Sequence, residues 1–73
     1  MKRYEAVLGP NTKQWWAYDN ETDEYCDPPA EVLDEIENHS NDVDKQESFF
    51  NELLANEPAW LNDDEFRYDD VDI

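Results

Sequence analysis

The first third of the chain alternates apolar and polar residues, and this alternation predicts antiparallel strands. Residues 4–8 place Tyr, Ala and Leu on one face, and the turn-forming residues 9–12 separate them from a second segment over 14–18. A further turn over 19–23 leads to a short third strand over 24–27. The pattern therefore predicts a β-meander.

Two adjacent tryptophans lie in the second predicted strand. Side chains alternate between the faces of a strand, so Trp15 and Trp16 point to opposite sides of the sheet. We expect one of them to pack on the helices and the other to be partly exposed.

The pattern then changes to a helical period. Pro28-Pro29 ends the sheet region, and Pro29 is suited to open a helix. Val32, Leu33 and Ile36 form an apolar stripe, and His39-Ser40-Asn41 closes this helix.

A second helix follows at once. Asp44 and Glu47 have the spacing of a capping box, and Asn56 and Pro58 end the segment. Its buried stripe is predicted to consist of Phe49, Phe50, Leu53 and Leu54.

The last part of the chain is less regular. Ala59–Leu61 is predicted to form one helical turn, and Phe66–Tyr68 an edge strand or a packed extended segment. Residues 69–73 have little to bury and are expected to be flexible. We predict a single α+β domain over residues 1–73, an N-terminal antiparallel meander with two main helices packed on one face.

Charge is distributed very unevenly along this sequence. Residues 1–18 carry three basic residues and one acid, whereas residues 19–73 carry 20 acids and two basic residues. The formal net charge of −16 opposes folding by self-repulsion. Aromatic residues make up 14% of the chain, which favours a folded domain over an acidic disordered tail. The charge itself indicates a strongly basic partner.

Cysteine content and hydropathy indicate the cellular location of the protein. The single Cys26 excludes an intrachain disulfide and favours a reducing, cytoplasmic location, in the host cell if the protein is phage-encoded. There is no run of about 18 apolar residues. An anionic surface is also repelled by anionic lipid, so we expect no membrane association.

Metal binding and catalysis find little support in the sequence. Asp19, Glu21 and Asp23 alternate as in a calcium loop, but Glu24 occupies the position of the required glycine and Ala30 that of the bidentate glutamate.

The chain also lacks a convincing catalytic group. His39 is more typical of a helix end than of a general base, and negative surroundings do not activate the Cys26 thiol. We expect a protein that is not an enzyme and has no metal or cofactor.

The remaining candidate is the carboxylate surface. Acids four residues apart on a helix are about 6 Å apart along its axis, and phosphates on one DNA strand rise by about 3.4 Å each and lie farther apart through space. Rows of carboxylates can therefore imitate rows of phosphates. The candidate phosphate mimics are Glu31, Asp34, Glu35, Asp42, Asp44, Glu47 and Ser48.

The chain resembles phage-type DNA-mimic inhibitors, and two strings resemble uracil-DNA glycosylase inhibitors in particular. Gln46–Phe49 is similar to their Gln-Glu-Ser-Ile motif, and Ala17–Asp19 followed by Thr22–Glu24 is similar to a hairpin string of that family. The two strings occur here in the opposite order. The resemblance implies that Glu47 and Ser48 replace phosphates against the enzyme, and that an apolar pocket receives an apolar side chain of the enzyme.

The predicted pocket and partner follow from these observations. From the apolar stripes of the two helices we predict that the walls of this pocket are Leu33, Ile36, Phe50 and Leu54. The expected partner is a basic DNA-binding protein, with uracil-DNA glycosylase favoured, and the chain itself, a monomer or homodimer, binds no nucleic acid. Three alternatives stay open: an anti-CRISPR or anti-restriction mimic, an immunity protein or antitoxin that neutralises a basic nuclease, and an acidic protein that acts through no mimicry.

Overall fold

A computed structural model of the chain describes residues 2–69 and 71–73 and contains one four-stranded antiparallel sheet. The strands lie in the sheet in chain order, which confirms the predicted meander. Of the two alternatives predicted for Phe66–Tyr68, the edge strand is the one observed, over Arg67–Tyr68. The strands are β1 (Tyr4–Leu8), β2 (Trp15–Asp19), β3 (Glu24–Cys26) and β4 (Arg67–Tyr68).

Two helices complete the predicted α+β fold, with α1 at Ala30–His39 and α2 at Val43–Ala55. Short 3-10 turns follow at Ala59–Asn62 and Asp64–Phe66. No helix in the described part of the chain is long and apolar enough to cross a membrane.

The start of α2 differs from the sequence prediction. Asp42, and not Asp44, caps the helix, because an Asp42 carboxylate oxygen accepts the backbone N–H of Asp44 at 2.9 Å. The predicted capping box with Glu47 is therefore wrong. An acidic residue occurs at both positions, so spacing alone did not identify the cap.

The core lies between one face of the sheet and the helices. The strands contribute Tyr4, Trp15, Ala17 and Cys26. Trp15 meets Phe50 of α2 edge to face, with ring centroids 6.3 Å apart. The helices and the first 3-10 turn contribute the other fully buried residues, which are Ile36, Phe50, Leu54 and Leu61.

Two side-chain hydrogen bonds fix α2 on the sheet. The Asn51 side-chain oxygen accepts the backbone N–H of Ala6 at 3.0 Å. The Gln46 side-chain oxygen accepts the Trp15 indole N–H at 3.2 Å. Because both acceptors are on α2, these bonds set which side of the helix faces solvent.

Trp16 is buried on the opposite face of the sheet, and the expectation that one tryptophan is partly exposed is therefore wrong. Its indole N–H donates to Thr12 Oγ1 at 2.9 Å, and its ring meets Tyr68 edge to face. The Ile73 carbonyl accepts the backbone N–H groups of Asn11 and Thr12, each at 2.8 Å. Residues 71–73 thus dock on the β1–β2 turn, although the sequence indicated a flexible end.

Candidate functional site

The exposed side of α1 carries a group of carboxylates. Glu31, Asp34 and Glu35 are all exposed, whereas Ile36 on the same helix is fully buried. Glu31 and Glu35 are one helical turn apart, so their side chains project from the same side of α1. The sequence therefore predicted correctly that these acids face solvent.

Glu31 and Glu35 border an apolar hollow of about 310 Å³, which we call the Trp60 hollow. Its apolar walls are Val32, Leu53, Pro58 and Trp60, and Asn56 completes it. The beginning of α1 and the end of α2 line the same hollow, so the two helices run antiparallel here. The Trp60 ring is half-buried and stacks on Phe50 at 6.5 Å, which fixes its orientation.

The acids of α2 form a second group. Asp44, Glu47 and Ser48 are exposed, and Asp44 and Ser48 border a hollow of about 280 Å³ beside Phe49. His39 stacks on the Phe49 ring, with centroids 4.1 Å apart, and so closes one side of this hollow. Six of the seven predicted phosphate mimics therefore occur in two groups, one on each helix.

Asp42 differs from the other predicted mimics. Its side chain is exposed, but one carboxylate oxygen already accepts the Asp44 backbone N–H. The residue therefore has a structural role as the cap of α2.

The predicted pocket walls are not together at the surface. Ile36 and Phe50 are 0% exposed and Leu54 is 1% exposed, because these side chains pack on one another and on the sheet. Leu33 is half-buried and borders a different hollow, with Leu8, Trp15 and Val43. Ile36, Phe50 and Leu54 therefore belong to the core and are not available as walls of a surface pocket.

Both arginines are paired with acids of the same domain. Asp19 is 0% exposed, and its carboxylate accepts hydrogen bonds from Arg3 at 3.2 Å and from Arg67 at 2.9 Å. Glu21 pairs with Arg3 and Glu24 with Arg67. Within residues 2–69 and 71–73, every ion pair involves one of these two arginines. The lysines alone are left to offset the acids elsewhere on the surface.

The Asp19 site is strongly polarised. Burial alone would raise the pKa of Asp19, but hydrogen bonds from Arg3 and Arg67 outweigh it and hold this pKa well below its usual range. Burial would likewise lower the pKa of Arg67, and the bonds to Asp19 and Glu24 keep it above its usual value. Both groups are therefore charged at neutral pH, in a structural cluster on the helix-facing side of the sheet.

Sequence reasoning missed two residues of this arrangement. Trp60 was predicted only as part of a helical turn, and the pattern of that turn does not indicate that its ring stacks on Phe50 of the preceding helix. Asp19 looked like one acid of a solvated turn. The one available signal was the small number of arginines. A buried acid needs a cationic partner, so Arg3 and Arg67 were the residues near which a buried acid could be sought.

In the part of the chain that the structure describes, no group of three or more His, Cys, Asp or Glu side chains is arranged to hold a metal ion. The Asp19 oxygens, which belong to the calcium-like spacing, instead accept hydrogen bonds from arginine and from the Glu21 backbone N–H.

No protein-family model, curated protein or solved structure matches this chain.

Proposed function

We propose that this protein is a DNA mimic that binds in the DNA-binding cleft of a basic enzyme and blocks it. Carboxylates of α1 and α2 take the positions of phosphates, and the Trp60 hollow receives an apolar side chain of the enzyme. The observation that carries the proposal is the position of Glu31 and Glu35 on the rim of that hollow.

The geometry of α1 supports phosphate mimicry. Glu31 and Glu35 are about 6 Å apart along the helix axis, and Asp34 extends the charge around the same exposed side. Arginine and lysine side chains that bind a DNA backbone donate charge-assisted hydrogen bonds, and they do so to carboxylates as well as to phosphates. The same residues of the enzyme can therefore bind either partner.

The overall charge favours rapid association with a basic cleft. Arg3 and Arg67 are already bound to Asp19, so the acids of the helical side are opposed mainly by lysines. Complementary potentials steer the encounter and raise the association rate, most strongly at low salt. The fit of the apolar hollow then selects among basic surfaces, because charge alone does not discriminate between them.

Uracil-DNA glycosylase is the proposed target. The support is the similarity of Gln46–Phe49 to the motif of its known inhibitors, together with the exposure of Glu47 and Ser48 on α2. Both side chains are available to an enzyme that docks along the helices.

An excision assay tests the target. Uracil removal from a labelled duplex is measured with a bacterial uracil-DNA glycosylase and increasing amounts of this protein. We expect stoichiometric inhibition that excess duplex relieves. Excision that continues unchanged at excess protein removes this target, and a pull-down from bacterial lysate then shows whether another DNA-binding enzyme or a nuclease is bound.

Matched variants test the mechanism. Glu35→Gln removes one charge from the rim of the Trp60 hollow, and Glu21→Gln removes one from the β2–β3 turn, where Glu21 pairs with Arg3. We expect Glu35→Gln to weaken inhibition about tenfold, which is less than the cost of truncating a fully buried charge pair because Glu35 is exposed on the rim. Equal effects of the two variants would mean that only net charge matters.

A further inference from the structure

The face of the sheet that points away from the helices carries a row of tyrosines. Glu5 of β1 is in register with Tyr18 of β2, Tyr18 with Tyr25 of β3, and Tyr25 with Tyr68 of β4. Directly opposed residues point to the same face of an antiparallel sheet. We call Tyr18, Tyr25 and Tyr68 the tyrosine row.

The row is ordered and accessible. The Tyr18 and Tyr25 rings lie 5.0 Å apart, and Tyr68 is supported by the edge of Trp16 at 6.2 Å. Tyr68 is 43% exposed, and Tyr18 and Tyr25 are half-buried. The core takes its strand residues from the other face, so these rings do not contribute to it.

Two acidic residues lie beside Tyr18 of the tyrosine row. Glu5 is the exposed cross-strand neighbour of Tyr18, and the Tyr18 hydroxyl donates a hydrogen bond to Asp23. That bond raises the pKa of Tyr18 to about 12. The surface therefore combines electron-rich rings with nearby carboxylates.

We propose that the tyrosine row is a second docking surface, separate from the Trp60 hollow, which binds an extended, arginine-bearing segment of a basic protein. Arginine stacks on aromatic rings while its guanidinium bonds to carboxylates, and it does both better than lysine. The chain already contains one such contact, since the Arg3 guanidinium lies 5.0 Å from the Tyr4 ring centroid.

Dimensions and charge support this occupant. Neighbouring strands are about 4.8 Å apart, so the row spans about 10 Å from Tyr18 to Tyr68. Arginines at alternate positions of an extended segment are about 7 Å apart on one side, so two of them fit on the row. A second copy of this chain is disfavoured, because it would bring another charge of −16 to the same surface.

An NMR titration with two peptides of equal charge tests the proposal, with hexa-arginine and hexa-lysine as probes at physiological ionic strength. We expect hexa-arginine to shift the amide signals of the tyrosine row most strongly and to bind about threefold more tightly than hexa-lysine. Signals that shift mainly on α1 and α2, or equal affinities, would overturn the proposal.

Charge-neutral variants locate the contact. Tyr68→Leu should weaken hexa-arginine binding about threefold, whereas Tyr68→Phe, which keeps the ring, should restore it. Tyr68 is the most exposed ring, so its replacement leaves the core intact, and Tyr25→Leu provides a second measurement.

Two controls distinguish arginine binding at the tyrosine row from binding at the Trp60 hollow and from self-association. Glu31→Gln/Glu35→Gln leaves the row unchanged and should retain the arginine preference, whatever its effect on glycosylase inhibition. Sedimentation compares the free protein with Tyr68→Leu. The proposal fails on one result, which is that the natural chain self-associates and Tyr68→Leu abolishes this association. Such a result would mean that the tyrosine row is an interface between copies of this chain and that the proposal is wrong.

Discussion

The Arg67 guanidinium lies 2.9 Å from the Asp19 carboxylate, although 48 residues separate the two in the chain. The pair joins β4 to β2, and the Asp19 side chain is 0% exposed while that of Arg67 is 11% exposed. A buried charge is tolerated only where its partners satisfy it, so this contact ties the last strand to the sheet.

Asp19→Asn should therefore be strongly destabilising. The amide keeps the shape of the side chain but leaves the buried Arg67 with reduced compensation, and we expect the free energy of unfolding to fall by about 3 kcal/mol. Urea denaturation followed by tryptophan fluorescence measures this change. Glu21→Gln is the control, because an exposed ion pair contributes little. If the two variants have the same midpoint, the buried pair does not stabilise the fold.

The same pair predicts how stability depends on pH. A free aspartate titrates near pH 3.9, and the pKa of Asp19 in the fold lies below its usual range. The contribution of Asp19 is thus complete above about pH 4 and is lost as the pH falls further, toward the folded-state pKa. The difference in unfolding free energy between the natural chain and Asp19→Asn should stay constant from about pH 7 to pH 5 and shrink below about pH 4. A difference that already shrinks between pH 7 and pH 5 would contradict this assignment.

The Asp19 cluster also shows where the sequence ceases to predict the fold. The strands and helices follow from local periodicity, and their existence and order are as predicted. The burial of Asp19 depends on Arg3 and Arg67, which are 16 and 48 residues away, and no local pattern reports such a contact. The same reason explains the Trp60 hollow, which needs α1, α2 and a 3-10 turn together.

Gly9→Ala should weaken the docking of the C-terminal residues. A Cβ at Gly9 would lie 2.5 Å from the Ile73 carbonyl oxygen and 3.0 Å from the Trp16 indole nitrogen. Such crowding costs about 1–3 kcal/mol and should expose Trp16, which red-shifts its fluorescence.

Asn11→Ala is a matched control for Gly9→Ala. It removes only the exposed hydrogen bond to Asp72 and should change little. An unchanged urea midpoint and spectrum for Gly9→Ala would show that residues 71–73 do not dock on this turn in solution.

Cys26 should be unreactive in the folded protein. Its side chain is fully buried in β3, and burial raises the pKa of the thiol above its usual value. A thiol reagent such as DTNB at pH 8 should label it only as urea unfolds the chain, with the midpoint seen by fluorescence. Ser48→Cys places a thiol at an exposed position of α2 and should react at once. Rapid labelling of Cys26 without denaturant would show that β3 opens readily.

The contributions of the two acidic groups to inhibition can be measured separately. Glu47→Ala and Ser48→Ala alter the positions that resemble the inhibitor motif, whereas Glu31→Gln and Glu35→Gln alter the rim of the Trp60 hollow. If an enzyme contacts both groups independently, each pair of substitutions should raise the inhibition constant about tenfold or more, and the free-energy losses of the two pairs should be roughly additive in the quadruple variant. Excision assays with the double and quadruple variants measure this, with far-ultraviolet circular dichroism as the check on folding. A loss confined to Glu47 and Ser48 would place the contact on α2 alone and remove the Trp60 hollow from the interface.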